Sequence, residues 1–222
     1  MLIDRPGRRA SIALLLSLPM LASVPARAQA LYDAFVKAVT EDRRSEVKSL
    51  LARGMDPNTV DPRGEPMLVV AARAGWRETL DALLAAGAKV DAESGVGDTA
   101  LMVAALSGHD DIVQTLVKRG AAINRSGWTP LIYAATNGND TTVRYLIDAG
   151  ADLNAGSPNG TTALMMATRE NHLSTVQLLL AKGADPNRKN QNGVTALAWA
   201  RRANFDPIEK ALIKGGAHDG AR

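Results

Sequence analysis

A glycine that follows a leucine-rich stretch returns at Gly54, Gly87, Gly120, Gly150, Gly183 and Gly216, at intervals of 33, 33, 30, 33 and 33 residues. A fixed period of this size makes a chain an array of similar supersecondary units, none of which can bury its apolar face alone. A second ladder, Gly64, Gly97, Gly127, Gly160 and Gly193, keeps step at 33, 30, 33 and 33. Both ladders lose three residues at the same place. The deletion therefore lies in one loop, between Asn124 and Gly127, and spares the units on either side.

Inside each unit the residue types predict a helix, a turn, a second helix and a loop. Thr99, Thr129, Thr162 and Thr195 stand where a helix N-cap is needed, and Pro130 takes the first helical position of one unit. Leu68, Leu101, Leu131, Leu164 and Leu197 are followed three residues later by Ala71, Ala104, Ala134, Ala167 and Ala200, which places both sets on one helical face. Gly75, Gly108 and Gly138, then Asn171 and Asn204, tolerate the left-handed conformation that ends a first helix. The second helix keeps the same apolar spacing, as in Ile112, Val113, Leu116 and Val117. With aromatic residues at only 4% of the chain, the core must be Ala and Leu, small enough for helices to lie close. Helices of about ten residues are too short to persist alone in water. Stacking has to stabilise them.

The run Gly127-Trp128-Thr129-Pro130-Leu131 through Leu146-Ile147-Asp148-Ala149-Gly150-Ala151-Asp152-Leu153-Asn154 resembles the ankyrin repeat, and the resemblance extends over residues 31–222. It implies an all-α solenoid of about six helix-turn-helix repeats with short β-hairpin loops. An N-terminal capping repeat would occupy 31–60, with Asp33 as its first cap and Phe35 in place of the repeated Leu. Repeats at about 61–93, 94–123, 124–156 and 157–189 follow, with a C-terminal repeat at 190–222. The resemblance also gives Asn58, Asn124, Asn154 and Asn187, with Asp91 as a variant, the task of tying backbone between repeats. The family's His after the turn is replaced by Val69, Met102, Ile132, Met165 and Ala198, which removes a polar turn clamp.

Residues 1–30 differ from everything after them. Arg5, Arg8 and Arg9 precede the apolar run from Ile12 to Ala22, and the segment closes on Ala26-Arg27-Ala28-Gln29-Ala30. That is the layout of a cleavable secretory signal, too short in its apolar part for the roughly 20 residues of a membrane span. Cleavage is expected after Ala30, with Ala28 as the alternative. The Arg8-Arg9 pair leaves twin-arginine export open beside the general route. The mature chain is expected in a bacterial periplasm or outside the cell, with no membrane contact after cleavage. Losing Arg5, Arg8, Arg9, Arg27 and Asp4 takes the charged residues from 26 basic and 23 acidic to 22 of each. A mature chain of zero formal charge argues against nucleic acid as a partner.

No residue pattern points to catalysis, a metal or a cofactor. Cysteine is absent, so thiol chemistry and disulfides are excluded. His109 and His172 share one phase two repeats apart, and helices packing at 8–10 Å put their rings about 20 Å from each other. Asp110-Asp111 and Glu41-Asp42 sit at helix starts, where negative charge suits the dipole. Gly95-Val96-Gly97 lacks the further glycine or lysine of a phosphate loop and is expected to be a hairpin turn.

What remains is surface. The resemblance implies a concave face built from loop tips and the outer side of the first helices, and the candidate partner-binding residues on it are Arg63, Glu65, Arg73, Leu106, Arg125, Trp128, Asn137, Arg169 and Glu170. Across the wider stripe five Arg stand against three acids, so an acidic or mixed protein surface is the expected partner. Trp128 carries the sharpest expectation, being a large aromatic on the shortened loop where the repeat's own core does not need one. The chain is thus predicted to be a non-catalytic protein-binding module, monomeric when free. Exported relatives are linked to oxidative-stress protection beside a periplasmic catalase. An immunity protein against an envelope-targeted toxin is the second binding hypothesis, and a hydrolase with a site in the groove is the competing class.

Overall fold

The computed structural model describes residues 26–218, so the predicted signal segment lies mostly outside the described residues. Within them the chain makes twelve helices in six pairs: α1 (Ala26–Thr40) with α2 (Arg44–Ala52), α3 (Met67–Ala74) with α4 (Arg77–Ala85), α5 (Ala100–Ser107) with α6 (Asp110–Lys118), α7 (Pro130–Thr136) with α8 (Asp140–Asp148), α9 (Ala163–Arg169) with α10 (Leu173–Ala181), and α11 (Ala196–Arg202) with α12 (Asp206–Lys214). The first helices form one row, each packed on the next, and the second helices form a parallel row behind them. The fold is the expected all-α solenoid.

The threonine ladder caps as predicted. The side-chain oxygens of Thr99, Thr129, Thr162 and Thr195 accept from the backbone N–H groups of Met102, Ile132, Met165 and Ala198 at 3.1–3.4 Å. Each such cap is worth roughly 1 kcal/mol over alanine. The Met102 thioether sulfur also accepts from the Thr99 N–H at 3.3 Å, closing in one repeat the turn that its missing polar residue would leave open. The Leu and Ala faces are buried throughout: Leu68, Leu101, Leu131, Leu164 and Leu197 are no more than 2% exposed. Each buried leucine contributes roughly 1.5–3 kcal/mol before chain entropy is set against it.

The loop ladder is complete. Asn58, Asp91, Asn124, Asn154 and Asn187 accept through Oδ1 from the backbone N–H groups of Lys89, Ala122, Asp152, Asp185 and His218, each in the next unit, at 2.8–3.1 Å. These bonds fix the phase of each repeat on its neighbour.

Three expectations change. Helix α1 begins at Ala26, before Leu31, because Ala and Gln are good helix formers and nothing there stops the helix. Asp33 therefore lies inside it, accepting from Gln29 Nε2 at 2.8 Å, and caps nothing. Helices α2 to α12 are 7–9 residues long, shorter than the expected ten. The hairpin loops reduce to single antiparallel bridges in three units, Val60 with Pro66, Glu93 with Thr99 and Gly156 with Thr162; the shortened loop at Asn124–Gly127 and the last loop, at 190–194, have none among the described residues. Gly95-Val96-Gly97 does form a hairpin turn, closed by Ser94 N–H to Asp98 O at 2.9 Å.

Candidate interaction surface

The row of first helices carries two residue phases toward its outer side, the first of them half-buried and, at Val103 and Met166, buried. Four residues after the Thr cap come Val103, Tyr133, Met166 and Trp199, and three residues further on come Leu106, Thr136, Arg169 and Arg202, with Val70 and Arg73 opening the two series. The last turn of three of these helices is clamped from the next unit. His109 Nε2 meets Arg73 O at 3.1 Å, Asn139 Nδ2 donates to Ala105 O and Leu106 O at 2.7 and 2.9 Å, and His172 Nε2 meets Thr136 O at 3.1 Å. A carbonyl can only accept, so both imidazoles carry their proton on Nε2. The histidines thus have a structural task in two separate repeats.

Each clamp lies flat against a glycine. A Cβ on Gly75 would come within 2.7 Å of the His109 ring, and one on Gly138 within 2.6 Å of His172. These glycines serve two purposes: they adopt the left-handed turn and they let the clamp approach. Sequence reasoning explained only the first.

At one end of the row the charges close on each other. Glu65 is only 8% exposed, bonded to Arg73 at 2.7 Å and 3.6 Å from Arg63, so it is not the partner-facing carboxylate expected of it. Asp61 is buried beneath Arg63. Burial alone would raise its carboxyl, but N–H donation from Glu65 and Arg63 and the Arg63 guanidinium at 2.9 Å outweigh it and hold the group below the ordinary range. Arg125, with its side chain 22% exposed, reaches back to Glu93 of the preceding loop, and Arg169 pairs with its neighbour Glu170 at 2.8 Å. Counting Asp61 and Glu93, the stripe holds five acids to its five arginines, and four of the arginines, all but Arg202, are ion-paired among the described residues. The basic excess of the stripe is largely neutralised.

In the middle the surface is apolar. Trp128, 37% exposed, meets Tyr133 edge-on with ring centroids 5.9 Å apart and planes at 86°. Leu106, Trp128, Tyr133, Thr136, Met166 and Arg169 line a cavity of about 250 Å³. The Tyr133 hydroxyl donates to Asp98; burial first, and then this bond, push the phenol above its ordinary range. Asn137 is exposed at the end of α7 and takes no part in lining the cavity. Beyond Arg169 a second cavity, about 330 Å³, is lined by Arg169, Trp199, Arg202 and Ala203. Of the candidate set, the structure brings together Leu106, Trp128 and Arg169, places Arg63, Glu65, Arg73 and Arg125 in ion pairs, and leaves Asn137 apart.

Sequence reasoning missed Tyr133 and Trp199; Met166, 2% exposed, is buried in the core and also lines the cavity. The signal was present in one phase, where valine in two successive units gives way to Tyr, Met and Trp.

Compared with family models, residues 35–126, 122–190 and 155–221 match the one described as ankyrin repeats (3 copies). Among curated proteins the chain has no match.

Proposed function

The chain belongs to the ankyrin-repeat family, and from that premise we propose that it is a non-catalytic module binding another protein through the first-helix row, as the concave face of the solenoid, in the bacterial periplasm. Ankyrin repeats are protein-protein interaction modules. The cavity under Trp128 carries the finer reading. It is smaller than the roughly 300–1,000 Å³ of small-molecule sites, and it suits one apolar side chain of a partner. The surrounding carboxylates are occupied: Glu65 holds Arg73, and Asp98 holds Tyr133.

Export is supported by where packing starts. Arg27 to Ala30 are exposed, whereas Phe35 is fully buried and the Tyr32 hydroxyl donates to Val60 O at 3.0 Å. Cleavage after Ala30 removes none of these contacts. A role beside a periplasmic enzyme in oxidative-stress protection rests on the family resemblance alone.

Crosslinked capture from the periplasm tests the binding face. Trp128→Ala and Arg169→Ala are expected to weaken capture, whereas Lys118→Ala and Gln177→Ala on the second-helix row leave it unchanged. Capture lost with the second-helix variants and kept with Trp128→Ala would move the site to the other row.

A further inference from the structure

The two cavities are separated by a single side chain. Arg169 forms a wall of both, with Trp128, Tyr133 and Met166 on one side and Trp199 and Arg202 on the other. The first is lined from three successive units and the second from the last of these and the next, so their middles lie one to one and a half repeats apart, about 8–15 Å for packed helices. Resting on the binding reading above, we propose that this surface takes an extended, acidic segment of the partner: two apolar side chains three or four residues apart, one in each cavity, with an Asp or Glu between them.

The spacing argues for the extended form. A polyproline-type chain turns once in three residues and rises about 9.3 Å, so positions i and i+3 return to the same side at the cavity separation. A β-strand puts residues i and i+4 on one face about 13 Å apart, which also lies within this range, whereas i and i+3 or i+4 of a helix stand only about 5–6 Å apart.

Charge argues for the acid. Arg202 has no ion pair among the described residues, in contrast to the arginines at the other end of the stripe. Arg169 is held by Glu170 alone, with the two side chains 51% and 38% exposed. A surface pair of that kind is weak and exchanges readily for a better placed carboxylate. Among the described residues, the arginine of the stripe that has no ion pair therefore lies beside the aromatic cavities, which is complementary to an apolar segment carrying negative charge.

Selection of a random linear 12-residue peptide library on the purified protein tests this. Enrichment of apolar residues at i and i+3 or i+4 with Asp or Glu between them is expected. The Arg169→Glu/Arg202→Glu double variant should bind a selected peptide at least about tenfold more weakly and select Lys or Arg between the same anchors. Loss of folding cannot mimic an inverted preference. Trp128→Ala and Trp199→Ala should each relax one anchor position and keep the other. Enrichment at seven-residue spacing, an unchanged central residue in the reversed variant, self-association of the chain through this face, or no motif at all would overturn the proposal. If capture from the periplasm depends on Trp128 and no such motif appears, the binding function stands and this inference fails.

Discussion

Replacing Gly138 by alanine separates two costs that the sequence superimposes. Gly138 has φ +69 and Gly193 has φ +72, so an L-residue at either pays a left-handed backbone penalty of about 1–2 kcal/mol. Around Gly193 nothing lies within 4 Å of an added Cβ. Around Gly138 the added Cβ falls 2.6 Å from His172 Nδ1 and 2.8 Å from its Cγ, so the ring must leave. Its bond to Thr136 O then breaks, at a further cost of about 0.5–1.5 kcal/mol. Gly138→Ala is thus expected to cost about 1.5–3.5 kcal/mol in urea unfolding against about 1–2 for Gly193→Ala. His172→Ala removes the obstacle, and in that background Gly138→Ala should fall back to the backbone penalty, giving a coupling of about 0.5–1.5 kcal/mol. Because Thr136 lines the cavity, partner capture should weaken with Gly138→Ala and not with Gly193→Ala. Equal losses at the two glycines, or zero coupling with His172, would refute the clamp.

Ala134 is fully buried between neighbouring first helices, and Ala134→Leu should overpack the stack by about 1–3 kcal/mol; an unchanged urea midpoint would mean the register is wrong. The raised Tyr133 phenol favours the neutral form in the folded state, so its stabilisation is fully present below the ordinary value of 10.0 and is lost as pH rises through the folded value. Stability measured by urea unfolding above pH 10 should therefore fall more steeply in the wild type than in Tyr133→Phe, and parallel curves would contradict the assignment. Mass spectrometry of the periplasmic fraction should find a mature chain starting at Leu31 or Gln29, and an intact Met1 on most of the folded protein would end the export reading.

What the period encodes was legible. Thr caps, Leu and Ala faces, glycine turns and loop asparagines each recur in several units, so a local rule applied at one is checked at the next. What joins different units was not. The Arg125–Glu93 pair spans 32 residues, and Arg73 closes on Glu65 inside one unit because the loop folds back over the helix. Counting charges on a predicted stripe could not show which of them cancel. The clamps were hidden for the opposite reason: His109 and His172 were seen to share a phase, but their partners are backbone carbonyls, which carry no sequence signature. The aromatic cavities fall between these cases. Tyr133 and Trp199 broke a repeated valine phase, and a departure from a period is informative only once the period's role on the surface is known.

The clamps also explain why one face can serve both packing and binding. Asn139 and His172 hold the carbonyls of Leu106 and Thr136, and both of those residues line the Trp128 cavity. The bonds that stack one repeat on the next thereby fix the cavity's walls before any partner arrives, which lowers the ordering cost of association. At the Arg169 end the device changes. Asn171 replaces the glycine and Phe205 stands in the clamp position, with no polar side-chain atom to donate to the last carbonyls of α9. The aromatic cavity is therefore built rigid, whereas Arg169 sits where the clamp series stops, on an exposed pair with its own neighbour. A surface of that kind fixes an apolar anchor by shape and leaves its charged contact adjustable, so changes at Trp128 should act on residence time and changes at Arg169 and Arg202 on partner choice.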